Sequence, residues 1–193
     1  MRRIPILATI IVVAAACTMV ALGIWQLGRA DEKAALLERY QSALQSDQTV
    51  QWPGNGPGYE EWLYARSQLR CESAQDFSTA AGKNGEGQSG LAVTAICNLA
   101  GGVAAPIVLG WTREVAIPEW QGGAVTGIIA PGPRLVLDPP QAGLAANAQP
   151  DPNDLPNNHL SYAGQWFFFA LTALAIYAFA LRRRWRDEEE GEI

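Results

Sequence analysis

The sequence predicts a membrane protein of α+β class: two transmembrane helices, one near each end, flanking a small, mainly antiparallel β domain on the outer side of the bilayer. Three observations predict it. Arg3 and Arg29 bracket 25 residues without a charge, Ile4–Gly28. His159 and Arg182 bracket 22 more, Leu160–Leu181. Between these stretches the chain breaks into short runs of Val, Ile, Leu and Thr set off by Gly and Pro clusters, the pattern of strands and turns. A spanning helix needs about 20 mostly apolar residues; both uncharged stretches reach that length. The expected organisation is a first span at 1–28, an outer domain at 29–158, a second span at 159–181 and a cytoplasmic tail at 182–193.

The competing reading of the first stretch is a cleaved signal peptide. Such a peptide has an apolar core of about 7–15 residues and a small-x-small cleavage site. Ile6–Leu22 is longer than that core, although Ala14-Ala15-Ala16 offers small residues. Cys17 is not in a lipoprotein context, because Ala14 stands where a large aliphatic residue is usual. The second stretch carries Phe167, Phe168, Phe169, Tyr177 and Phe179 and stops at Arg182-Arg183-Arg184.

Orientation follows from the flanking cations. Arg2 and Arg3 precede the first span, and Arg182, Arg183, Arg184 and Arg186 follow the second, so the positive-inside rule places both termini in the cytoplasm. The expected location is a bacterial inner membrane with the domain facing the periplasm. Trp25, Trp166 and Trp185 fall at the span ends, where an aromatic belt sits. The outer segment Ala30–Asn158 carries 7 basic and 14 acidic residues, a formal charge of −7. That argues against a nucleic-acid partner, whose phosphates need a basic surface, and against docking on an anionic membrane surface. The run Asp187–Glu192 reads as a solvated acidic tail.

Within the outer segment, Ala30–Leu44 lacks Gly and Pro and places Leu37, Tyr40 and Leu44 at helical spacing, so the first helix is expected to run past the membrane. Trp52-Pro53-Gly54-Asn55-Gly56-Pro57-Gly58 then ends it. Strands are expected at Glu61–Cys71, Leu91–Leu99, Ala105–Arg113, Ala124–Ala130 and Arg134–Asp138, and a loop at Pro139–Asn158. Gly82–Gly90 contains Gly-Lys, but Asn84 follows where a P-loop has Ser or Thr, and no helix comes after it. It reads as a flexible hairpin tip.

Cys71 and Cys97 lie in the outer segment, where disulfides form and persist. In a gapless hairpin centred on Asn84 they stand opposite each other, at a Cα separation of about 4.5–5.5 Å that a disulfide bridges. The alternative is a pair of buried, unpaired thiols.

Chemistry-bearing residues are scarce. The chain has one histidine, His159, and three cysteines without zinc spacing. No nucleophile-elbow motif accompanies His159, so an enzyme is not expected. Trp25, Arg29 and Lys33 are four residues apart and share a helical face. One reading makes that face an interfacial anchor. The other has it meet the second helix near His159, with Gly23 allowing close approach.

Leu22-Gly23-Ile24-Trp25-Gln26-Leu27-Gly28-Arg29 with Lys33, and Pro156-Asn157-Asn158-His159-Leu160-Ser161-Tyr162-Ala163-Gly164-Gln165-Trp166-Phe167, resemble the signatures at the two membrane helices of the surfeit locus protein 1 family. Val108-Leu109-Gly110-Trp111 and Val125-Thr126-Gly127 are similar to weaker central motifs of that family. The resemblance implies an assembly factor of cytochrome c oxidase, a chaperone in respiratory-chain biogenesis. Its partners would be the oxidase catalytic subunit and other assembly factors, and it would act when haem a enters that subunit. With imidazole a common axial ligand, it points to His159 as a ligand of the haem iron. Trp25, Tyr162 and Trp166 would wall the site, and Arg29 would pair with a propionate. A single histidine excludes bis-histidine ligation within one chain. The rival readings are a scaffold that grips the oxidase subunit without touching haem, and a sensor, for which the 12 residues of Arg182–Ile193 leave no room for an output domain.

Overall fold

The structure, a computed structural model, describes residues 4–115 and 118–190. Arg2 and Arg3 and the end of the chain at Gly191–Ile193, on which part of the orientation and tail readings rest, lie outside them. The chain forms two compact units, Met1–Leu36 with Pro156–Ile193, and Leu37–Leu155.

The first unit is a pair of helices. Helix α1 runs Ile6–Gln45 and helix α2 runs His159–Glu190. Both contain stretches long and apolar enough to cross a membrane. Within the first unit, the least exposed positions of α1 are Thr9, Val12, Ala16, Met19, Gly23, Gln26, Ala30 and Lys33, with Ala15, Leu22 and Leu36 beside them. On α2 the series His159, Ala163, Trp166, Ala170, Ala173 and Tyr177 is turned inward. Both alternate steps of three and four, the 3.5-residue period that keeps one seam facing a partner helix. The seam is built of small side chains: Ala16, Ala163 and Ala170 are buried. Small residues let two helix backbones approach where lipid supplies no hydrophobic drive. At Gly23 a Cβ would stand 2.6 Å from Cε1 of Phe167, so any larger residue there would have to displace that ring. At the opposite end Thr9 Oγ1 and the Tyr177 hydroxyl are hydrogen-bonded.

The second unit holds the end of α1 and a seven-stranded sheet. The strands are β1 (Thr49–Gln51), β2 (Arg66–Cys71), β3 (Ser73–Lys83), β4 (Ser89–Asn98), β5 (Ala104–Thr112), β6 (Gly123–Ala130) and β7 (Arg134–Leu137). Their order is β1-β2-β6-β7-β5-β4-β3. The sheet is mixed rather than mainly antiparallel, because β1 pairs with β2, and β5 with β7, in parallel. Parallel partners need a crossover between them, and no local pattern announces one. The core is formed by β5, β7 and their neighbours: Val93, Ile107, Leu109, Ile129 and Leu135 are fully buried. Tyr40 of α1 stacks on Tyr64, with ring centroids 5.0 Å apart.

Several expectations change. Helix α1 stops at Gln45 rather than at Trp52-Pro53, because Thr49–Gln51 leave it to pair with Arg66–Gln68. The expected strand Glu61–Cys71 begins only at Arg66. Tyr59–Trp62 is a 3-10 turn, and Tyr64 takes a left-handed backbone with φ 65°, its N–H donating to the carbonyl of Ile129. Strand β3 had no counterpart in the sequence reading. Its residues SAQDFSTAAGK lack the β-branched pattern and are largely exposed on both faces, so pairing with β4 makes it a strand. The Gly-rich tip is a tight turn: Asn84 Oδ1 accepts from the amides of Glu86 and Gln88, at 3.1 and 2.8 Å.

Cys71 and Cys97 are joined by a disulfide, with Cα atoms 5.4 Å apart. The register that predicted it is different. Cys97 stands opposite Ala74 rather than Cys71, because the hairpin turns about Glu86, with Lys83 opposite Ser89, and not about Asn84; a bulge between Gln75 and Ser78, where Asp76 has φ 52°, then shifts the register by one residue. Cys71 ends β2, a separate strand paired with β6. The chain turns from β2 into β3 at Glu72, whose N–H donates to the carbonyl of Asn98 in β4. The bridge therefore ties β2 to β4, strands far apart in the sheet order, and holds the sheet curled.

Candidate functional site

His159 is the first residue of α2. It is half-buried on the seam, and its Nδ1 lies 2.7 Å from Oε1 of Gln26 on α1. Gln26 occupies the same face as Gly23, one turn further along, and is also half-buried. The close approach at Gly23 and Phe167 thus brings a polar pair together at one end of the two-helix unit.

The remaining predicted residues lie around this pair in different ways. Trp166 follows His159 and Ala163 along the α2 seam, partly buried, and meets Phe169 edge-on at 6.3 Å. Trp25 is 57% exposed and Tyr162 49% exposed, both outside the seam. Arg29 is ion-paired with Glu32 on its own helix, its side chain half exposed. The residue hydrogen-bonded to His159 is Gln26; of the Trp25–Arg29–Lys33 series, Trp25 and Arg29 are exposed and Lys33 is half-buried. Sequence reasoning missed Gln26. The signal was present: an uncharged polar residue in an apolar span, at the spacing of Thr9, Val12, Ala16, Met19 and Gly23. Among the described residues no group of three or more His, Cys, Asp and Glu could hold a metal ion.

The second unit has its own cleft of about 400 Å³. Ala92, Val108, Ala130 and Val136 form its apolar floor, and Arg134 and Asp154 stand at its rim. Tyr64 lines it and is 1% exposed. Burial raises the Tyr64 hydroxyl above the ordinary tyrosine value, with Tyr40, Asp154 and Asp151 adding to the shift. None of the predicted site residues lines this cleft.

The central motif glycines have a packing role. A Cβ on Gly127 would stand 2.2 Å from the carbonyl oxygen of Val136, and one on Gly110 2.7 Å from that of Ala145. The first closes β6 on β7, and the second lets the loop after β7 lie on β5.

Two helices long and apolar enough to cross a membrane are joined to a mixed β domain, with the single histidine of the sequence at one end of the helix pair. The SURF1 family model matches residues 13–171, from within α1 through the sheet and into α2, and the chain belongs to that family. It is a family of assembly factors, not of catalysts, associated with cytochrome c oxidase assembly. No curated protein matches the chain.

Proposed function

We propose that this chain serves cytochrome c oxidase assembly in a bacterial inner membrane by holding haem a near the oxidase catalytic subunit before insertion. The observation that carries this reading is His159: the only histidine of the chain, half-buried at the start of α2, with one ring nitrogen engaged by a neutral amide. The donor set fits the group. Haem iron takes imidazole as an axial ligand, and haem is a largely apolar disc that suits the edge of a bilayer. His159 would supply the axial nitrogen. Trp25, Tyr162 and Trp166 would cover the macrocycle, and Arg29 would exchange Glu32 for a propionate. When bound, haem a would supply only its redox-active iron and its apolar bulk. The chain's own part is to hold, orient and release it.

The placement of the outer domain is part of the proposal. The Cys71–Cys97 bridge favours an oxidising compartment for that domain, and the arginines beyond both spans favour termini in the cytoplasm. The test is haem retained by the full-length protein after purification in detergent. His159→Ala should lose most of it while still inserting into membranes. Arg29→Ala should lose less, since an ion pair at a wet interface contributes about 0–1 kcal/mol. Full haem occupancy with an unchanged spectrum in His159→Ala would remove His159 as the ligand. Empty wild-type protein that still captures the oxidase subunit would favour the scaffold reading.

A further inference from the structure

We infer that Gln26 is the positioning residue for His159, fixing the tautomer of its imidazole so that Nε2 carries the lone pair. The inference rests on the haem-holding reading for its purpose, but not for its geometry. The side-chain oxygen of glutamine has no proton and can only accept. With Oε1 2.7 Å from Nδ1, the contact is a hydrogen bond when the proton of neutral His159 sits on Nδ1. The other nitrogen, Nε2, is then bare, and a bare nitrogen is what binds a metal. The arrangement is the usual one around ligating histidines, where the nitrogen away from the metal donates to an oxygen that orients the ring and raises its basicity. Here that oxygen comes from the facing helix.

Two features of the fold make the contact possible. Gly23 and Gln26 lie one turn apart on the seam, so the missing side chain at Gly23 brings α1 close enough for Gln26 to reach the end of α2. Asn158 stands just before α2, and its carbonyl accepts from the Tyr162 amide, starting the helix there and setting His159 in its first turn. An apolar residue at position 26 would fill the same space and leave Nδ1 without a partner.

The single histidine makes the test direct. Full-length protein labelled with 15N-histidine, without haem and at mildly alkaline pH, gives one imidazole spectrum. The expected result is a protonated Nδ1 and a bare Nε2. A protonated Nε2 overturns the assignment whatever haem does. Gln26→Leu should shift the population toward protonated Nε2, whereas Gln26→Glu, which keeps an acceptor, should hold Nδ1 protonated. Added haemin supplies the second readout. Gln26→Leu should retain it about tenfold more weakly or worse, in line with the loss of other such supporting contacts. Gln26→Glu should retain it with a more negative midpoint potential, because a carboxylate makes the imidazole a stronger donor. Wild-type potential in Gln26→Glu, or wild-type retention in Gln26→Leu while His159→Ala is empty, overturns the role of Gln26 alone. Full retention in His159→Ala overturns the haem reading and leaves the tautomer result to stand or fall by the nitrogen spectrum. Should Gln26→Leu fail to fold, Gln26→Glu decides both readouts.

Discussion

Removing the Cys71–Cys97 bridge is the most quantitative perturbation this chain offers. The cysteines are 26 residues apart, and both are buried, at 3% and 0% exposure. On the chain-entropy account a loop of this length restricts the unfolded state by about 12 cal/mol/K, or about 3.5 kcal/mol at 25 °C. The native state should change little, because Glu72 keeps its backbone bond to Asn98 and β4 keeps its partners on both sides. The double substitution Cys71→Ala, Cys97→Ala is preferable to serine, which would bury two hydroxyls at a cost of about 1–3 kcal/mol each. Urea unfolding of the full-length protein in detergent, followed by tryptophan fluorescence, reads the effect, since Trp111 is buried against Gly90. The expected loss is about 3–4 kcal/mol with a somewhat steeper denaturant slope, because an uncrosslinked unfolded chain exposes more surface. A loss under about 1 kcal/mol would refute the entropy argument. Alkylation of both thiols in unreduced protein, seen by mass spectrometry, would refute the bridge itself.

Other perturbations follow from the same geometry. A reporter active only outside the cytoplasm should work when inserted near Gly85 and be silent after Ile193; activity at the C-terminus would overturn the two-span topology. Gly127→Ala should destabilise the sheet by about 1–3 kcal/mol through overpacking, since its Cβ would meet backbone 2.2 Å away. Gly85→Ala, with nothing within 4 Å, should cost far less; equal costs in urea unfolding would contradict the packing argument. Burial raises Tyr64 and Tyr59 above 10.0. The folded unit therefore holds protons that the unfolded chain releases, and the stability these groups contribute is complete below pH 10.0 and lost as pH rises through their folded values. Ultraviolet titration should show these hydroxyls ionising late, with unfolding midpoints falling on the alkaline side. Normal ionisation of every tyrosine would remove that contribution.

Much of the architecture was legible because a bilayer imposes it residue by residue. An uncharged run of 25 residues has few alternatives to a spanning helix, and α1 and α2 lie where those runs are. The strands later seen as β4, β5, β6 and β7 carried apolar and β-branched residues bounded by turns, because they are buried and each position records its surroundings. Strand β3 left no such record: its residues are exposed, and only its partner β4 makes it a strand. Strand β1 is three residues long and owes its existence to Arg66–Gln68, distant in sequence.

The cysteine pair and the histidine site divide in the same way. Composition and compartment indicated that Cys71 and Cys97 would meet, but the register depended on the hairpin turning about Glu86 and on Glu72 turning the chain from one strand into another, neither of which spacing alone shows. His159 stood out in the sequence because it has no rival. Its partner was decided by which face of α1 packs against α2. That choice belongs to Gly23 and Phe167, whose backbone and ring occupy space a side chain would need. Sequence by itself determined which segments are apolar, which are turns and which single residue carries imidazole chemistry, since these are properties of residues and their near neighbours. Only the tertiary structure decided that Gln26 is hydrogen-bonded to that imidazole, because a helix face is selected by what packs on it.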